Sequence, residues 1–145
     1  MTTNNNLLRF VDAQKGVYER ALQEIRNAKK TGHWMWFVFP QISGLGFSEM
    51  ANFYTIKNEK EATAYLNHPI LGTRLVEISN ELLNLRSKDA GAIFGTIDSM
   101  KLKSSMTLFS LLKDANPVFM NVINQFFGGR RDERTIELFN LNIDN

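Results

Sequence analysis

The sequence predicts an all-α fold, a compact single-domain bundle of about seven to nine short helices over residues 7–140. Three observations carry that expectation. Apolar residues recur at helical spacing in one segment after another, while period-two alternation and hairpin turns are almost absent. Cap residues, glycines and prolines punctuate the chain often enough to keep the connections near ~2–8 residues, the range usual between packed helices.

Residues 1–6 are polar and are expected to form a disordered N-terminus. From Leu7 the spacing of Leu7, Phe10, Val11 and Gln14, then Tyr18, Ala21, Leu22, Ile25 and Ala28, gives two helices broken at Gly16. The second carries Glu19, Arg20, Glu24 and Arg26 mainly off the stripe. It ends in Lys29-Lys30-Thr31-Gly32, basic residues meeting a glycine as at a helix C-terminus. Farther on, Pro40 disfavours a helical Phe39, and Gly44 and Gly46 mark a turn. Ser48 caps a short helix through Tyr54, and Asn58 with Glu61 forms a capping-box-like start.

His68-Pro69 opens the clearest helix, with the stripe Leu71, Leu75, Ile78, Leu82 and Leu85. Gly91 and Gly95 bracket the short apolar piece Ala92-Ile93-Phe94. Asp98 is the expected N-cap of a helix bearing Leu102, Ser105, Met106, Phe109 and Leu112. Asn116-Pro117 starts another helix that Gly128-Gly129 stops, and Asp132 caps a last one through Phe139. Residues 141–145 read as a tail.

At 145 residues the chain has the length of one domain, and 43% hydrophobic with 22% charged residues excludes disorder as its organising state. With no cysteine there is no disulfide scaffold, thiol catalyst or thiolate metal site. Two histidines without a carboxylate cluster at ligand spacing make no structural zinc site, so neither metal nor cofactor is expected. No segment is apolar enough to span a membrane and no secretory signal is visible, so the expectation is a soluble cytoplasmic protein. A net charge of +2 does not build a surface for a nucleic-acid polymer.

One stretch stands out. Residues 33–46 read His-Trp-Met-Trp-Phe-Val-Phe-Pro-Gln-Ile-Ser-Gly-Leu-Gly and contain both tryptophans of the chain. That much aromatic area belongs at the centre of a domain or on the floor of a pocket. Together with Arg9-Phe10-Val11-Asp12-Ala13-Gln14, His68-Pro69, Leu71-Gly72 and the segment Lys101-Leu102-Lys103-Ser104-Ser105-Met106-Thr107-Leu108-Phe109, it resembles the uncharacterised family catalogued as domain of unknown function 1810. The likeness extends from about Leu7 to Leu138. It implies a compact all-α fold and supplies no activity. The "calpastatin" label carried by some members does not suit this chain, since calpain inhibitors of that kind are disordered and polar.

The candidate site follows from residue types. Trp34 and Trp36 are two apart and cannot share a helix face, so one is expected in the core and the other toward a groove or under another helix. Core packing of both is the favoured expectation, and a stacking platform for a planar ring is the alternative. His33 is a general base or phosphate donor, or else a cap on the preceding helix. Gln41 and Ser43 lie before Gly44-Leu45-Gly46, an anion-approaching turn or a plain one. Lys101 sits at i, i+3 and i, i+4 from Ser104 and Ser105 on one helix face. Two serines in mid-helix are locally costly, which points to a polar pocket or to close helix packing.

Tyr54 and Asp12 are weaker candidates, His68 reads as a cap, and Gly128-Gly129-Arg130-Arg131-Asp132 reads as a solvated loop. The leading expectation is one pocket walled by His33, Trp34, Trp36 and Gln41 on one side and Lys101, Ser104 and Ser105 on the other. It suits a planar anionic small molecule, nucleotide or ADP-ribose-like. Any reaction there would be hydrolysis or transfer, with Asp12, Glu49 or Asp98 as the carboxylates that folding might recruit. The competing expectation is a non-enzymatic protein-interaction module in which these segments are structural.

Overall fold

The computed structural model describes residues 2–141, with side chains from residue 7 onward. Ten helices follow one another among the described residues: α1 (Thr2–Gln14), α2 (Tyr18–Arg26), α3 (Met35–Val38), α4 (Glu49–Phe53), α5 (Glu59–Asn67), α6 (Leu71–Leu83), α7 (Ala90–Phe94), α8 (Thr96–Ser110), α9 (Pro117–Phe127) and α10 (Glu133–Leu141). The fold is all-α. Among the described residues, extended pairing is confined to one isolated bridge between Ile42 and Ile56. No described helix is long and apolar enough to cross a membrane.

The anticipated caps form. Ser48 Oγ, Asn58 Oδ1 and Asn116 Oδ1 accept from the N–H groups of Ala51, Glu61 and Val118. Asp132 Oδ2 accepts from Thr135 N–H at the start of α10, and His68 Nδ1 accepts from Ile70 and Leu71 N–H before α6. Three details differ from expectation. The count is ten helices because α3 adds a single turn inside the aromatic segment. Helix α1 already includes Thr2, where a disordered terminus was expected. Asp98 does not cap α8 but lies in its first turn, one turn late, because Gly95 serves as N-cap. The expected tail beyond Leu141 lies outside the described residues.

Helix α8 is the centre. Every residue from Ser104 to Phe109 is buried, and α3, α5, α7, α9 and α10 all pack against it. A helix covered all round has no single apolar stripe, and this is why small hydroxyl residues sit among its apolar ones. Around it the aromatic core runs from Phe10 through Tyr65 and Phe109 to Phe119, with ring centroids 5.1–5.7 Å apart.

The aromatic segment is held from three sides. Gln14, 1% exposed, donates from Nε2 to the Phe37 carbonyl at 2.8 Å and to the Tyr65 hydroxyl at 3.1 Å. Burial pushes the Tyr65 phenol up, which keeps it a neutral donor and acceptor. The bridge fixes the chain after α3, with Ile56 N–H donating to the Gln41 carbonyl and Ser43 N–H to the Ile56 carbonyl. Arg9 ties α1 to the loop beyond α4 by donating to the carbonyls of Phe53 and Thr55 at 2.7 Å.

The third support is Glu24. One of its oxygens accepts from Thr31 N–H, Gly32 N–H and the Trp34 indole at 2.7–2.9 Å. Partial burial pulls its pKa upward, but these donors outweigh it and bring the carboxyl down from 4.5 to about 2. A carboxylate lowered on folding stabilises the protein above its unfolded pKa and loses that contribution as pH falls through the folded one. Glu24→Ala is therefore expected to cost roughly 1–2 kcal/mol at pH 7, a value discounted for solvent access. In thermal melts the gap between variant and native protein should close as pH falls from 4.5 toward 2. A gap constant with pH would show that the ionised carboxylate is not what holds Trp34.

Candidate functional site

Helices α3 and α8 meet where their sequence motifs meet. The Lys101 ammonium lies 3.7 Å from the centroid of the Trp36 ring, in cation–π contact. Beside the pair opens a hollow of about 280 Å³. Trp36 and Lys101 form one part of its wall, and Gln41, Ser104 and Asp132 supply further polar groups. Leu45, Ile97 and Met100 make the apolar part. The mixture of a ring face, a few polar groups and aliphatic walls is usual for small-molecule sites, although this volume is at the small end of their range.

Backbone geometry explains each placement. Trp34 precedes the single turn of α3 and points inward, 1% exposed, while Trp36 emerges half-buried on the other side. Two tryptophans two residues apart are thus divided between core and groove. Gly44 follows with φ of +107°, and a Cβ there would lie 3.0 Å from Leu138, so the turn carrying Leu45 and Gly46 folds close against α10.

A charge ladder underlies the hollow. Asp98 takes Lys30 at 2.7 Å and Lys101 at 3.4 Å, and Lys30 also lies 5.2 Å from the Trp34 ring centroid. Lys30 is the more buried lysine and has the shorter contact, so it is the principal partner of Asp98. Lys101 keeps a looser contact and turns toward the hollow, with donor capacity that an anion can use.

Several expectations about the site are corrected. His33 is exposed and does not line the hollow, because the chain leaves α2 with that side chain facing solvent. Trp34 is a core residue, its indole N–H committed to Glu24. Ser105 is fully buried and its Oγ has no hydrogen-bond partner among the described residues, so it belongs to helix packing and not to the hollow. Trp36, Gln41, Lys101 and Ser104 are the four that converge. Asp12 and Glu49 are exposed and lie outside the lining, as does the half-buried Tyr54. Asp132, read from sequence as a cap and as the end of a solvated loop, is a wall residue whose capping position beside α8 put it there. Ile97 and Met100 carried no polar signal. Their exposure, 73% and 51% in the first turns of a helix buried from Ser104 to Phe109, is visible only once α8 is known to be central.

Among the described residues no group of three or more histidine, aspartate or glutamate side chains is placed to hold a metal ion. A family model described as "Protein of unknown function (DUF1810)" matches residues 4–139. The crystal structure of a conserved hypothetical protein from Mycobacterium tuberculosis is similar at a TM-score of 0.91 and 45% identity, covering 93% of this chain and 96% of that one. Among curated proteins none matches.

Proposed function

The chain belongs to the DUF1810 family, a family of unknown function, and from that premise we propose that the hollow beside Trp36 binds a planar, anionic small molecule. The observation that carries this reading is the Lys101 ammonium over the Trp36 ring at the edge of a concavity. A ring stacks on or against the indole while its anionic group meets the ammonium, and both contacts gain strength in a partly dehydrated site. The volume takes one ring system with its nearest substituents. A nucleotide or ADP-ribose-like ligand would seat its ring inside and leave the rest along the Leu45–Gly46 mouth. The absence of cysteine from the sequence suits action in the reducing cytoplasm.

Lys101→Ala tests the reading. It should change the melting temperature of the unliganded protein little, corresponding to within ~1 kcal/mol for a lone cation–π and loose ion pair. It should remove the thermal stabilisation that nucleoside monophosphates, ADP-ribose or aromatic carboxylates give the native chain. If no member of that panel stabilises the native protein, the binding reading fails.

A second reading has its own observation. Phe47, which follows Gly46 of the lining in sequence, is 93% exposed, and Ile97 and Met100 of the hollow's wall are exposed as well. A non-enzymatic protein-interaction module would use such an apolar rim. Phe47→Ser separates the two, because it should abolish partner binding while leaving small-molecule affinity within about twofold.

A further inference from the structure

The hydroxyl groups on the α10 side of the hollow form an ordered chain whose direction is fixed by chemistry. Thr135 Oγ1 lies 2.5 Å from Asp132 Oδ2, and a carboxylate oxygen accepts, so the single Thr135 hydroxyl hydrogen is spent there. Ser104 Oγ lies 2.7 Å from the same Thr135 oxygen. With no hydrogen left on Thr135, that contact requires Ser104 to be the donor. Ser104 therefore has only lone pairs to offer the hollow it lines. Asp132, also on the wall, is a second acceptor: its Oδ2 receives Thr135 N–H and O–H. The lining thus combines acceptors from Ser104 and Asp132 with the Lys101 ammonium.

We infer that the hollow selects its ligand by a donor edge: a planar ring with two adjacent N–H donors facing Ser104 and Asp132, and its anionic group facing Lys101. A guanine-type edge, with a ring N–H beside an amino group, has this pattern. Adenine, cytosine and uracil edges place an acceptor where the second donor is wanted. The inference rests on the proposed binding role and adds the chemical class to it. An acceptor placed against two acceptors leaves buried lone pairs facing each other, and sites built around paired polar groups reject such ligands strongly.

The test is isothermal titration of the full chain with GMP and IMP, which differ only in the 2-amino group. GMP is expected to bind at least tenfold more tightly. Thr135→Val, nearly isosteric and remote from ligand, removes the acceptor that orients Ser104 and frees its hydrogen to point into the hollow. That variant should bring the GMP-to-IMP ratio to within about threefold when titrated below its own melting temperature, which is expected to fall because Ser104 and Asp132 each lose a buried partner. Asp132→Asn, which keeps an oxygen for the α10 cap, should also lower GMP affinity about tenfold. Equal binding of GMP and IMP by the native chain, or an unchanged ratio in Thr135→Val, overturns the donor-edge assignment and leaves the binding role intact. Binding of an aromatic carboxylate without either nucleotide does the same. Failure of every tested anion to bind removes both.

Discussion

Gly72→Ala is expected to destabilise the fold by roughly 3 kcal/mol or more, the range of severe overpacking, and to lower the melting temperature by about 10 °C. A Cβ at Gly72 would lie 1.8 Å from the Leu66 carbonyl oxygen and 2.6 Å from its carbon. Both are backbone atoms at the end of α5, so no side-chain rotation relieves the clash. The close approach is made by the corner between α5 and α6, where Gly72 N–H donates to the His68 carbonyl at 3.0 Å and the His68 ring caps Ile70 and Leu71. Moving α6 away would disturb Leu71, Leu75 and Ile78, all essentially fully buried. Thermal and denaturant unfolding measure the loss, and a cost below ~1 kcal/mol would show that the corner can open freely.

Gln14→Ala is the other large effect, expected at about 2–4 kcal/mol. Its amide is the junction of a buried network. Besides its bonds to the Phe37 carbonyl and Tyr65, Oε1 accepts from Arg74 Nη1 at 3.2 Å. Arg74 in turn lies 5.0 Å from the ring centroid of Tyr18, whose hydroxyl donates to Glu77 at 2.6 Å and lies 3.0 Å from the Arg74 carbonyl. Burial first, and then the Glu77 carboxylate, push that phenol up. Truncation leaves a guanidinium nitrogen and a carbonyl short of partners in a region without room for bulk water. Since Phe37 belongs to α3, faster amide exchange should appear there as well as a lower unfolding free energy. A loss confined to α1, with α3 protected as before, would show that Gln14 does not support the aromatic segment.

These two residues also mark what the sequence made legible. Period and caps located nearly every helix, because each signal is local: Asn116-Pro117, Ser48 and Asp132 need only their own next turn. The spacing of Trp34 and Trp36 gave only that they point different ways, and which one enters the core came with the fold. Gln14 appeared only as a position on the first helix's stripe, and Gly72 only in the pair Leu71-Gly72. The reason for Gln14 lies in residues tens of positions away, and that for Gly72 in a close approach to the Leu66 carbonyl that no periodicity records. The same limit applied at the site. Lys101 and Ser104 advertised a polar face, whereas Lys30 entered through a pairing of the loop after α2 with Asp98 of α8 that no periodicity records. Ser105 misled because adjacent serines on a helix look alike until one knows that burial surrounds the helix.

The central position of α8 has a consequence for how occupancy would be felt. The helix that lends Lys101 and Ser104 to the hollow is also the pillar on which five other helices lean. Scaffold and receptor are therefore one element, and a guest gripping its outer edge stiffens the whole molecule by mass action, not just one loop. Distant amides along this pillar would carry the imprint of a visitor they never touch.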